Sequence, residues 1–306
     1  MRFICLLPVL LLLACAKDDT YIPPPPTYFL VIPDSKTIWA EHIEKGFTAG
    51  CKQMDMAFEV VKYTDADPQK LTKLITEMGD SKGAPACIVF NQTDGISKTL
   101  DALSLKEIKA ITIGRDDSNA FRLGHVGANV KKLASLVATR SKQITPPARK
   151  LLYLFGGAPV DRQALEAAAF RESDNWNHYR LRTKSLSEIT PQDFEWCDVV
   201  IPVGEDALAK AIQSPARHII PTDPTDEAFA LLKDGRAPIV IGSNYFDIGF
   251  RASRIAREQF VYKAIASPIL PITPKEVDKE SLAGYMKSRF NIPPIQRSKP
   301  AKKSKP

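Results

Sequence analysis

Three ionisable residues directly follow an apolar run in the segment 108–121, "IKAITIGRDDSNAF". Gly114 ends the run, and Arg115, Asp116 and Asp117 come next. A guanidinium and a carboxylate each present two aligned hydrogen-bonding groups, which suits the binding of a polar solute. Open α/β sheets bind their ligands outside the carboxyl ends of parallel strands. The segment therefore indicates either one wall of a ligand cleft or a solvated loop, and the remaining sequence must decide.

The motifs of common catalytic and cofactor sites are missing from the sequence. "LFGGAPVDR" has two glycines after an apolar run, but the chain contains no GxGxxG, GxxxxGK[ST] or GxSxG. Histidines stand at four isolated positions without metal-ligand spacing, and we interpret them as surface or capping residues: His42, His125, His178 and His218. We expect no enzymatic activity, no cofactor and no metal.

The net charge of +7 is concentrated at the C-terminus. Seven basic residues and no acidic residue follow Glu280, so the remaining chain is close to neutral. A neutral body lacks the basic surface that nucleic acid requires, and we expect no nucleic-acid partner. The tail 291–306 is rich in Pro and Lys and is expected to be disordered. It would act as a solvating tail or contact anionic lipid headgroups.

The N-terminus has the layout of a secretory signal. Arg2 precedes a short apolar run, and Leu12-Leu13-Ala14-Cys15 resembles a bacterial lipobox. We predict a signal peptide over 1–14, lipidation of Cys15 with a diacylglycerol and an acyl chain such as palmitate, and a Pro-rich linker over 15–27. The alternative is cleavage after Ala14 without a lipid. The lipidated protein would be anchored to a membrane outside the cytoplasm, and Lys17 slightly favours the outer membrane.

Three cysteines remain after residue 15. Cys51, Cys87 and Cys197 have no metal-ligand spacing, and Cys87 and Cys197 open apolar runs. An odd number of thiols allows one disulfide at most. We expect buried free thiols, with Cys51–Cys87 as the only pairing to test.

From residue 28 onward, apolar β-branched runs alternate with segments of helical spacing. Strands that alternate with helices indicate βαβ units and parallel sheets covered on both faces. The fold class is therefore α/β. The length, and Pro146-Pro147 near the middle, favour two doubly wound lobes over one large sheet. The predicted strands are "YFLVIP", "FEVVKY", "ACIVF", "KAITI", "KLLYLF", "YRLRT", "CDVVIPV", "RHIIP" and "APIVIG".

The order of these segments resembles the type 1 periplasmic sugar-binding proteins, the relatives of ribose- and galactose-binding proteins. The likeness begins with "YFLVIPDSKTIWAEHIEKGF", continues through "ACIVFNQTDG", "LGHVGANVKKLASLVA" and "DVVIPVGEDALAKAI", and ends with "APIVIGSNYFDIGFRA". It implies a clamshell of two lobes joined by a three-segment hinge. Lobe 1 would comprise 28–127 and 245–267, and lobe 2 would comprise 128–244 and 268–290.

The resemblance also implies which residues line the cleft. Trp39 matches the family's stacking aromatic, although a tryptophan there could instead staple the start of a helix. Arg115 matches the arginine of an Asp-Arg pair, and Asp116 is close enough to contribute. Asp223 matches a cleft aspartate, with helix capping as its alternative role. Ser243 and Asn244 stand at the second crossover, where the family has an amide.

Three positions depart from the family pattern. Gly114 replaces an aspartate, and Gly204-Glu205 replaces Asn-Asp. Glu166 replaces an arginine, for which Arg162 could substitute from one turn earlier. These losses argue against ordinary ribose or galactose recognition.

These features together predict a membrane-anchored solute-binding lipoprotein. It would close on a small polar, sugar-like ligand and deliver it to an ABC permease or a membrane receptor. The alternative is a degenerate member of the fold that acts as a protein-interaction module at the cell envelope without binding sugar.

Overall fold

The computed structural model describes residues 27–64, 67–82, 86–91, 96–116, 120–144, 149–174, 179–261 and 269–291. The predicted signal peptide, the lipidation site Cys15, Asp117, Pro146-Pro147 and the tail beyond residue 291 lie outside these ranges, as does the side chain of Cys87. Within the described ranges, no helix has the length and apolarity needed to cross a membrane.

Lobe 1 is built on a six-stranded parallel sheet. Its strands are β1 (Tyr28–Pro33), β2 (Phe58–Tyr63), β3 (Ala86–Asn91), β4 (Lys109–Gly114), β5 (Gly124–Ala128) and β11 (Ile269–Ile272), and their spatial order is β11-β5-β4-β3-β1-β2. Its helices are α1 (Ile38–Gln53), α2 (Pro68–Lys82), α3 (Ile96–Leu105) and α9 (Tyr245–Val261).

The central strand β1 shows why helices cover both faces of this sheet. Phe29 and Val31 belong to a hydrophobic cluster with residues of α2 and α3, whereas Leu30 and Ile32 belong to a cluster with α1 and α9. Successive side chains of a strand point to opposite faces, so a continuous apolar run needs an apolar cover on each side.

Lobe 2 has a four-stranded parallel sheet and a two-stranded antiparallel one. The parallel strands are β6 (Lys150–Phe155), β7 (Arg180–Ser185), β8 (Val199–Val203) and β9 (His218–Ile219), in the order β7-β6-β8-β9. The antiparallel pair is β10 (Val240–Gly242) with β12 (Lys275–Val277). The helices are α4 (Val130–Gln143), α5 (Arg162–Asp174), α6 (Pro191–Trp196), α7 (Glu205–Ile212), α8 (Asp226–Lys233) and α10 (Leu282–Ser288).

The chain passes between the sheets three times: between β5 and α4, between β10 and α9, and between β11 and β12. The third passage differs from the expected boundary, because residues 269–272 were assigned to lobe 2. Ile269 pairs with His125 and Ile272 with Ala128, so this strand extends the lobe 1 sheet. The strand contains Pro271, which a sheet tolerates at its edge.

The C-terminal helix makes a further link between the lobes. Tyr285 of α10 packs against Phe229 of α8, with 5.7 Å between ring centroids, which fixes α10 to lobe 2. Phe290, just beyond α10, packs edge-on against His42 of α1 at 4.9 Å and against Phe246 of α9 at 5.7 Å. The end of the described chain thus reaches from lobe 2 onto lobe 1.

The structure confirms the α/β class with doubly wound parallel sheets. Both cysteines whose side chains are described, Cys51 and Cys197, are buried free thiols. Burial raises the pKa of each thiol to about 12, so both thiols stay protonated near neutral pH.

Candidate functional site

A direct contact joins the two lobes where strands end and helices begin. The backbone amide of Ile38, the first residue of α1 in lobe 1, donates a hydrogen bond to the carboxylate of Glu205, the first residue of α7 in lobe 2. The N-cap residue Thr37 makes no side-chain cap for α1, so the opposite lobe supplies the acceptor that this helix start needs. Burial raises the pKa of Glu205, which is half-buried in the gap. The polar ends of the two lobes therefore face each other.

Asp223 is a buried connector between lobe 2 and the second crossover. Its side chain is 3% exposed, and one oxygen accepts the amide proton of Gly204 at 2.7 Å. The other oxygen accepts the hydroxyl proton of Tyr245 at the start of α9, which also hydrogen bonds to the Ser243 side chain. Burial raises the pKa of Asp223 and that of Tyr245. Protein donors thus occupy both oxygens of the predicted cleft aspartate.

Neighbouring polar residues are used as helix caps. Thr225, not Asp223, caps α8 by accepting the amide proton of Ala228 at 3.1 Å. The Asn244 side chain accepts the amide proton of Asp247 at 3.3 Å, at the start of α9.

An open cavity of about 170 Å³ lies between the lobes beside the hinge. We call it the interlobe cavity. Lobe 1 contributes Asp116 and His125, and lobe 2 contributes Val160, Asp161 and Ala164. The remaining lining residues come from strand ends and the start of α4: Gly114, Gly127, Ala128, Val130, Ile269 and Pro271.

Asp116, a predicted site residue, lies in this cavity and is held by an arginine. Its two oxygens accept hydrogen bonds from Arg122, each at 2.6 Å, and the Arg122 side chain is 9% exposed. The nearer oxygen is 3.7 Å from Nδ1 of His125. Arg115 is half-buried directly after β4 but is not among the residues that line the cavity.

His125 is a site residue that the sequence reasoning missed, because it was interpreted as a surface or capping histidine. The residue is 6% exposed, and its Nδ1 lies 2.9 Å from the hydroxyl of Thr112. Burial lowers the pKa of His125 to about 4, so the imidazole is neutral at pH 7. Gly127 makes room for the ring, since a Cβ there would lie 2.5 Å from Nε2. His42 is likewise buried, which corrects the same interpretation.

Arg162 starts α5 and makes local contacts. It donates to Glu166 at 2.9 Å, lies 3.7 Å from Glu188, and stacks over the Phe155 ring at 5.0 Å. Glu166, which replaces the family's arginine, thus forms an ion pair with the residue expected to substitute for that arginine.

Trp39 lies in the core of lobe 1. It is 1% exposed and belongs to a hydrophobic cluster with Ile43 of α1 and Tyr245 of α9. It is not among the residues that line the interlobe cavity. This burial fits the alternative in which Trp39 staples the start of α1.

Backbone geometry accounts for two departures from the family pattern. Gly114 has φ +91° and Gly204 has φ +107°, a region that side chains with a Cβ rarely adopt. A Cβ on Gly204 would also lie 1.7 Å from the carbonyl oxygen of Gly156. Neither loop can carry an ordinary side chain at that position without moving.

No protein-family model matches the sequence, and no curated protein does. Solved structures match over most of the chain. GanP, a glucose-galactose binding protein from Geobacillus stearothermophilus, is 15% identical with a TM-score of 0.68, over 84% of this chain and 99% of its own. A solute-binding protein of an ABC transporter from Burkholderia graminis, in complex with D-arabinose, is 12% identical with a TM-score of 0.72, over 86% and 99%. A LacI-type regulator from Bacteroides fragilis is 13% identical with a TM-score of 0.67, over 85% and 99%.

The chain has the type 1 periplasmic-binding-protein fold. At these identities the likeness concerns the fold alone, and it confirms the fold that the sequence resemblance implied. The names of these structures describe binding proteins and a regulator. In the described part of the chain, no group of three or more His, Cys, Asp or Glu is arranged to hold a metal ion.

Proposed function

We propose that this type 1 binding fold is a non-enzymatic, extracytoplasmic solute-binding lipoprotein. It captures a small polar ligand between its lobes and presents the closed form to an ABC permease or a membrane receptor. The observation that carries the proposal is the interlobe cavity, which is lined by Asp116 of lobe 1 and Asp161 of lobe 2. A ligand that contacts both lobes binds the closed form better than the open form and therefore shifts the population toward closure.

The test is calorimetric titration of the full mature chain against neutral sugars, polyols, nucleosides and small amines. Binding of at least one class, with loss of binding in a cavity variant, supports the proposal. If a folded sample binds no member of the panel, the solute-binding function is wrong.

Anchoring through Cys15 is a separate part of the proposal and rests on the lipobox-like sequence. We expect the chain to fractionate with membranes and the Cys15→Ala variant to leave them. Equal distribution of the two forms would contradict the lipid anchor.

The second candidate is a protein-interaction module, and the contact between Glu205 and Ile38 favours it. This contact joins the lobes without a ligand, and both oxygens of the buried Asp223 already accept hydrogen bonds from the protein. Cross-linking in intact membranes separates the two functions. A partner that binds equally well to chains with and without an intact interlobe cavity would favour the interaction module.

A further inference from the structure

The described polar side chains that line the interlobe cavity offer acceptors and no free donor. Nδ1 of His125 lies 2.9 Å from the Thr112 hydroxyl and 3.7 Å from a carboxylate oxygen of Asp116. A carboxylate can only accept, so its position favours a proton on Nδ1 of the neutral imidazole, which leaves Nε2 as an acceptor. The His125 side chain is more than nine-tenths buried, and Nε2 makes no hydrogen bond to any described residue.

Asp161 supplies the second acceptor, from the opposite lobe. One of its oxygens accepts the amide proton of Ala164 at 2.9 Å and so caps α5. The other oxygen makes no hydrogen bond among the described residues, and Asp161 lines the cavity. The free positions of the two acceptors thus belong to different lobes.

Three arginines near the interlobe cavity in the described chain have interaction partners. Arg122 is bound by both oxygens of Asp116, and Arg162 pairs with Glu166. Arg115 has an interaction partner of its own and does not line the cavity. The Asp116 charge is therefore balanced by Arg122, whereas Asp161 has no ion-pair partner within the described chain.

Lobe 2 carries a second group of carboxylates, one of which reaches lobe 1. Glu205, Asp206 and Glu227 line a depression of about 290 Å³, and Glu205 is the residue that reaches Ile38. Carboxylates on two sides of a gap with low-dielectric walls give it a negative potential, which concentrates cations and repels anions.

We infer that the solute of this protein is a small organic amine, whose ammonium group binds between Asp161 and Nε2 of His125. The inference rests on the proposed solute-binding function and names the class of ligand for that site. An ammonium brings three donors and no acceptor, which matches a cavity of bare acceptors. Val160, Ala164 and Ile269 provide an apolar wall for a short carbon chain. A neutral sugar would leave its hydroxyl oxygens without donors in this cavity, at a cost to binding.

The experiment compares three probes with one carbon skeleton: propylamine, 1-propanol and propionate. Calorimetric titration of the full mature chain at millimolar ligand is expected to show binding of propylamine, at least tenfold weaker binding of 1-propanol, and no binding of propionate. D-Arabinose and D-glucose complete the panel.

Asp161→Asn is the test variant, because asparagine caps a helix as well as aspartate and the fold should survive. It is expected to weaken propylamine binding at least tenfold. Glu195→Gln makes the same acid-to-amide change at an exposed position on α6 and should leave binding within twofold.

Three outcomes would contradict the inference or the proposed function. Unchanged propylamine binding in Asp161→Asn overturns the inferred site. Binding of sugars but not propylamine overturns the amine assignment and leaves the proposed function standing. Binding of no probe by a folded sample overturns both.

Discussion

The neutral imidazole of His125 is the side chain on which the chemistry of the interlobe cavity depends. Burial depresses its pKa to about 4, below the ordinary value of 6.5, and burial acts on His42 in the same way. Between pH 6.5 and 4 the unfolded chain binds more protons at these positions than the folded chain does. Folding stability should therefore fall as the pH drops through this window, by up to about 3 kcal/mol for each histidine. Glu205 and Asp223, whose pKa values are raised, oppose this trend.

We predict that NMR titration of the ring resonances will place the pKa of His125 at about 4, with the missing signal in His125→Gln as the assignment control. Titration above pH 6 would show that the imidazole is solvated and would remove it from the cavity.

Asp223 should act as a structural residue. Asp223→Asn replaces one acceptor by a donor that faces the Tyr245 hydroxyl or the Gly204 amide, so one buried hydrogen bond is lost. We expect a loss of about 1–3 kcal/mol in the free energy of unfolding, measured by urea denaturation. Asp234→Asn, an exposed control beyond α8, should change it by less than about 0.5 kcal/mol. Equal effects in the two variants would contradict the connector role.

Glu205 should hold the lobes together in the absence of ligand. Glu205→Ala removes the acceptor for the Ile38 amide, and we expect a larger radius of gyration by small-angle X-ray scattering. Asp206→Ala removes the next carboxylate of α7, which makes no hydrogen bond or ion pair to lobe 1 among the described residues, and should keep the wild-type radius. Identical scattering from Glu205→Ala and wild type would show that the contact does not restrain opening.

Residue types alone showed part of the site. The sequence placed Asp116 at a strand end, where it does line the interlobe cavity. The sequence did not show that Arg122 would form an ion pair with Asp116, because that pairing depends on the conformation of the chain between β4 and β5. His125 was missed because a lone histidine in "GHVGA" has no spacing signal, and its burial follows only from the sheet. The binding roles of Trp39, Arg115, Arg162, Asp223, Ser243 and Asn244 stay predictions.

At the scale of the elements, small residues allow helices α1 and α9 to approach each other closely. A Cβ on Gly46 would lie 2.0 Å from the carbonyl oxygen of Phe246, and one on Gly249 would lie 2.1 Å from that of Ile43. The two backbones therefore touch, and no neighbouring side chain can rotate away to make space.

Gly46→Ala should consequently destabilise lobe 1, by about 1–3 kcal/mol in urea denaturation, although alanine favours helix formation. Gly284→Ala is the matched control in α10, where a Cβ would meet nothing within 4 Å. We expect this control to be neutral or up to about 1 kcal/mol more stable. A Gly46→Ala variant as stable as Gly284→Ala would mean that the helices are not in contact at this point.

Nine runs of the sequence were predicted as strands. Eight of the nine runs form strands of three or more residues, while "RHIIP" contributes only His218–Ile219. The sequence reasoning missed β5, β11 and β12. "GHVGA" has two glycines and little β propensity, "ILPI" contains a proline, and "KEV" is too short for a periodic signal. These three strands form the hinge region, where pairing partners come from distant parts of the chain.

For the whole molecule, the fold was predictable because the order of strands and helices is retained at 12–15% identity to known structures. The ligand could not be predicted in the same way, because function depends on the site and not on the fold. Gly114, Glu166 and Gly204 differ from the family pattern, and the structure shows a backbone or ion-pair reason for each. Carboxylates of lobe 2, Asp161 and Glu205, lie at the junction with lobe 1.

The central claim is that a small solute binds in the gap between two lobes and contacts both of them. Crystals of the full mature chain soaked in a mixture of the amine, alcohol and sugar probes test it most directly. The account predicts electron density in the interlobe cavity, within hydrogen-bonding distance of His125 on lobe 1 and Asp161 on lobe 2. An empty cavity at saturating probe concentration, or density confined to the outer surface of one lobe, would contradict it.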